Sequence, residues 1–88
     1  MSFASIRKEY VKNINNYSFL DTLSKELAKE VPVNSRIKLI SRVEDPYTPI
    51  PVGSTGTVFA IDSMCQIHVK WDNGGGLALN PSDNFVLI

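Results

Sequence analysis

Eighty-eight residues with nine Lys and Arg against nine Asp and Glu, 43% hydrophobic and 20% charged, make one small domain of ordinary globular composition. No run of about 18 apolar residues is present, so no membrane partner is expected, and the charged Arg7, Lys8 and Glu9 argue against a secretory leader. The single cysteine, Cys65, excludes an intrachain disulfide and a multi-cysteine zinc site, and fits a cytoplasmic protein. A net charge of zero lacks the cationic surplus usual in nucleic-acid binders, which ranks that partner class below a protein or a small ligand.

Residues 1–33 read as a helical arm. Ser2 is placed to cap a helix over about 3–13, with Phe3, Ile6, Tyr10 and Ile14 at helical spacing. The Asn13-Ile14-Asn15-Asn16 stretch interrupts it, because asparagine competes for backbone groups. Ser18 and Asp21 suggest a capping box for a second helix over 19–30. Its apolar stripe is Phe19, Leu20, Leu23, Leu27 and Val31, and Pro32 ends it.

From Arg36 the period falls to two. Arg36–Arg42 alternates Ile37 and Leu39 against Arg36 and Lys38, as a half-buried strand does. Glu44 to Gly53 carries three prolines and reads as a long ordered loop, and Gly53–Gly56 as a turn. Strands are expected at Thr57–Asp62, Gln66–Trp71, Leu77–Asn80 and Asn84–Ile88, with a hairpin at Asp72–Gly76. Five short strands with a long first loop and a one-turn break before the last fit an SH3-like barrel over residues 34–88. The expected class is therefore α+β: the arm, one or two helices, packed on a five-stranded antiparallel barrel. The segment Thr57–Asp62 is apolar on both faces, Val58 and Ala60 against Phe59 and Ile61. The Phe19/Leu23/Leu27 stripe is the natural cover for the face outside the barrel, of this chain or of a second copy in a homo-oligomer.

Between residues 45 and 79 stand Asp45-Pro46-Tyr47, Pro49-Ile50-Pro51 with Gly53, and Gly56-Thr57-Val58. They are followed by Gln66-Ile67-His68-Val69, Trp71-Asp72-Asn73-Gly74, Leu77 and Leu79. In these residues and their gaps, residues 32–88 resemble the DUF4314 domain family, small proteins of phages and mobile elements. The resemblance implies an SH3-like fold and a mobile-element setting, and no reaction. Asn34-Ser35 stands where a Gly-Thr pair is common in that family, and the helical arm is longer than many members carry.

No catalytic constellation, metal site or cofactor is expected. His68 lies between core-facing neighbours and should point outward, and no carboxylate near it has metal-ligand spacing. Cys65 has no Lys or Arg within four residues to lower its pKa. Ser54-Thr55-Gly56 lacks the lysine and following helix of a phosphate loop. The expected function is thus a non-enzymatic binding module. In the mobile-element setting it would be an accessory or anti-defence protein that binds a host protein or sequesters a small nucleotide signal. Its expected surface joins Asp45 and Tyr47 on the stiff loop to His68, Trp71, Asp72 and Asn73. The alternative is a nucleic-acid-binding barrel using Arg36, Lys38, Arg42 and Lys70.

Overall fold

The computed structural model describes residues 1–41 and 50–88. Helix α1 spans Phe3–Lys12, with the Ser2 hydroxyl accepting from the Ser5 N–H. Helix α2 spans Tyr17–Glu30, starting two residues before the expected boundary. Its cap is Asn16, whose side chain accepts from the Phe19 N–H, so Asn16 does the work expected of Ser18. The chain stops being helical at Val31, just before Pro32.

Four strands follow: β1 Arg36–Leu39, β2 Thr55–Ile61, β3 Ile67–Trp71 and β4 Phe85–Leu87. All described pairings are antiparallel, in the order β3-β2-β1-β4. The described sheet therefore has four strands, not the five of a closed barrel. Leu77–Asn80, expected as a strand, contributes one bridge, Leu79 opposite Ile67. The Leu77 carbonyl is taken by the Trp71 indole and the Asn80 N–H by Asp83 Oδ2, and Pro81 has no N–H, so the ladder does not extend beyond Leu79.

One hydrophobic cluster holds the helices to the sheet. Ile6 and Tyr10 from α1 and Leu20, Leu23 and Leu27 from α2 share it with Ile37, Leu39, Val58, Ile67, Val69 and Trp71. The α2 stripe thus fills the sheet's inner face and does not cover an outer one. Ile14, expected on the α1 stripe, lies past the helix end and is exposed. Arg7 ties the arm to the turn before β4. Its Nε donates to the Pro81 carbonyl at 2.9 Å, and its second terminal nitrogen donates to the Asp83 carbonyl and Asn84 Oδ1, both at 2.7 Å. The arm accordingly packs on its own sheet. Val11, Ile14 and Tyr17 are among the apolar residues it leaves exposed.

Asn34 has φ 78°, a left-handed conformation that asparagine tolerates better than most residues. Its N–H donates to the Val58 carbonyl, and the Val58 N–H returns to Ser35.

Candidate functional site

The strand register fixes which side chains share the outer face of the sheet. Ile37, Leu39, Val58, Ile67, Val69 and Trp71 point inward, so their neighbours point outward. Arg36 stands opposite Thr57, which stands opposite Lys70; Lys38 stands opposite Thr55. The β4 residue paired with Lys38 is Val86, which is exposed. Arg36, Lys38 and Lys70 therefore share one face.

The aromatic end of this face comes from a bulge. Val58 pairs with Val69 and Ala60 with His68, so β2 spends one extra residue, Phe59, against β3. A regular strand would put Phe59 and Ile61 on the same side. The bulge changes the phase: Ile61 joins the core cluster, while Phe59 stays outside at 59% exposure. The Phe59 ring lies 6.0 Å from the His68 ring at 49°. His68 Nε2 and Asp62 Oδ2 are 2.8 Å apart. Asp62 Oδ1 accepts the N–H groups of Met64 and Gln66, which holds the hairpin and the histidine together. Burial works to raise the Asp62 pKa, but the hydrogen bonds from His68, Gln66 and Met64 outweigh it and leave the carboxyl below its ordinary value.

At the other end Arg36 grips Asp72 with two parallel hydrogen bonds, 2.8 and 2.6 Å, and also donates to Thr57 Oγ1 at 3.1 Å. Thr55 donates to Asp72 at 2.6 Å. These bonds, Arg36 first, hold the Asp72 carboxyl well below the usual range and keep the Arg36 guanidinium charged. The network straps β1, β2 and the end of β3 together across the outer face. Lys38 and Lys70 form no ion pair among the described residues.

The expected partner surface is thus divided. Trp71 is buried and its indole N–H donates to the Leu77 carbonyl at 2.8 Å, so it belongs to the core and not to a binding surface. Asp72 is bound to Arg36. Asn73 is exposed in the hairpin, where its side chain accepts from the Gly75 N–H. His68 stands at the opposite end of β3 from both. Asp45, Tyr47 and Arg42 lie outside the described residues. Phe59 was missed because the strand reads as apolar on both faces, one filling the barrel and the other covered; no sequence signal marks the bulge.

Cys65 is buried with φ 63°, its thiol donating to the Leu20 carbonyl at 3.3 Å. Burial, with help from the Asp62 charge, pushes its pKa up to about 11. No three His, Cys, Asp or Glu side chains converge on a metal position among the described residues. A groove lined by Phe3, Glu30, Val31, Phe85 and Leu87 holds about 190 Å³. That is below the ~300 Å³ at which small-molecule sites begin. Among the described residues no helix is long and apolar enough to cross a membrane.

With this geometry in place, sequence comparison supplies the family. The model of the family described as "Domain of unknown function (DUF4314)" matches residues 21–88. The chain belongs to this family. The match begins inside α2, so most of the second helix is part of the DUF4314 domain, beyond the limit suggested by the strand motifs. No curated protein and no solved structure matches the chain.

Proposed function

We propose that this DUF4314 protein is a non-enzymatic binding module that recognises nucleotides through the outer face of its sheet. One observation carries the reading: an exposed phenylalanine beside a histidine ring, on the face that also holds Lys70, Arg36 and Lys38. A base can stack on exposed aromatic surface, and cations one strand row away suit its phosphate. The thiol of Cys65 is buried and its pKa raised, which leaves it without the exposure a nucleophile needs. The accessory or anti-defence role belongs to the same proposal, since a captured nucleotide signal or nucleic acid is what such a surface would withhold from a host. On this reading the fold is an SH3-like barrel with its last turn reduced. The Leu79 bridge to β3 and the β4 pairing with β1 are the two contacts that such a closure requires.

Native mass spectrometry on protein purified at low salt tests the reading, with Phe59→Ala as control. Retained mass that proves to be a nucleotide or oligonucleotide, and that the variant loses, is the expected result. A bare protein that also fails to bind added nucleotides overturns it and turns the search to a protein partner.

A further inference from the structure

The layout of the outer face separates two sources of the same nucleotide chemistry. Resting on the reading above, we infer that the natural ligand is a single-stranded nucleic acid laid diagonally across the sheet, from Phe59 and His68 past Lys70 to Lys38. His68 and Lys38 are separated by two strand spacings across the sheet and four residues along it. At about 4.8 Å per strand and 3.3 Å per residue this is about 16 Å. Lys70 lies one outward position from His68, within reach of the phosphate of a nucleotide stacked at Phe59. Lys38 lies two strands across and one outward position along from Lys70 and meets only a chain that continues.

The charge on the face fits a polyanion. Among the described residues three cations stand against two carboxylates, Asp62 and Asp72; each carboxylate has its own partner, His68 or Arg36, which leaves the ammonium groups of Lys38 and Lys70 as the charges without a described partner. The Arg36–Asp72 pair crosses the line from Lys70 to Lys38, so the strand passes over it, with Lys38 and Lys70 as the phosphate contacts. No described element packs over Phe59, so a base can reach its ring from solvent. Two phosphate contacts make a salt-sensitive interaction, with log affinity falling against log salt at a slope of about −1.4.

The experiment is fluorescence anisotropy of labelled dT12 and rU12 at low salt, beside a titration with the mononucleotides dTMP and UMP. Phe59→Ala, Lys70→Ala and Lys38→Ala are used, each at an exposed position, with circular dichroism to confirm folding. Oligomer binding should fall at least about fivefold in Phe59→Ala, the low end for losing one stacked base. Lys38→Ala should weaken the oligomer severalfold and leave the mononucleotide unchanged. If mononucleotides bind as tightly as the oligomers and Lys38→Ala affects neither, the nucleotide-binding surface stands and the single-strand inference is overturned. If neither ligand binds, both fall. Displacement of the oligomer by poly-glutamate as readily as by unlabelled dT12 also overturns the inference, since charge alone would then explain the binding.

Discussion

At Gly56 the backbones of β2 and β3 come too close for any side chain. A Cβ there would lie 2.6 Å from Val69 Cγ1 and 2.9 Å from the Lys70 carbonyl oxygen. Gly56→Ala should cost about 1–3 kcal/mol, the usual range for overpacking, read as a lower urea midpoint at unchanged slope. The thiol of Cys65 gives a second residue-scale expectation. Its pKa rises from 9.0 in the unfolded chain to about 11 in the fold, so the native state holds the proton more tightly. The associated stability is complete below pH 9.0 and is lost as pH rises toward 11. Native protein at pH 8 should react with a thiol reagent far more slowly than urea-unfolded protein; equal rates would refute the buried assignment. Such details were partly legible. The glycine before Thr57-Val58 and an outward His68 follow from pattern, but the neighbour that makes glycine necessary lies on another strand.

Among the elements, regular periodicity was readable and its interruptions were not. Ile37 and Leu39 on β1, and Ile67, Val69 and Trp71 on β3, alternate as expected, and the α2 stripe is buried along Leu20, Leu23 and Leu27. The bulge at Phe59 left no such trace, because two adjacent apolar residues fit either phase. That single residue decides what the outer face presents. The stripe's destination was likewise invisible: amphipathic spacing predicts burial, not the surface that provides it. The arm's attachment depends on Arg7, whose bonds reach residues more than 70 positions away. Arg7→Ala should destabilise the fold by about 2 kcal/mol, measured by thermal or urea unfolding, as loss of charged hydrogen bonds to carbonyls does. No change would mean that the helices are held by the apolar cluster alone.

For the whole molecule, charge balance concealed charge arrangement. A chain with equal numbers of cations and anions nonetheless places Arg36, Lys38 and Lys70 on one face, against Asp72 at their end and Asp62 beside His68 at the other. Asp72 is the counterweight, and Asp72→Asn should tighten binding to dT12 severalfold by removing it and loosening Arg36. Weaker binding in that variant would mean that the Arg36–Asp72 strap shapes the face more than it neutralises it. The depressed carboxyls of Asp62 and Asp72 have a further consequence. Both hold their protons less tightly in the fold than in the unfolded chain, so the stability they lend is present above about pH 3.8 and fades as the pH falls below it.

Backbone amide shifts of ¹⁵N-labelled protein titrated with unlabelled dT12 test most directly whether the outer face is the working surface. Changes should concentrate at Phe59, His68, Lys70, Arg36 and Lys38 and spare the groove between Phe3 and Phe85. Shifts confined to that groove or to the helical arm, with the outer face silent at saturating oligonucleotide, would contradict it.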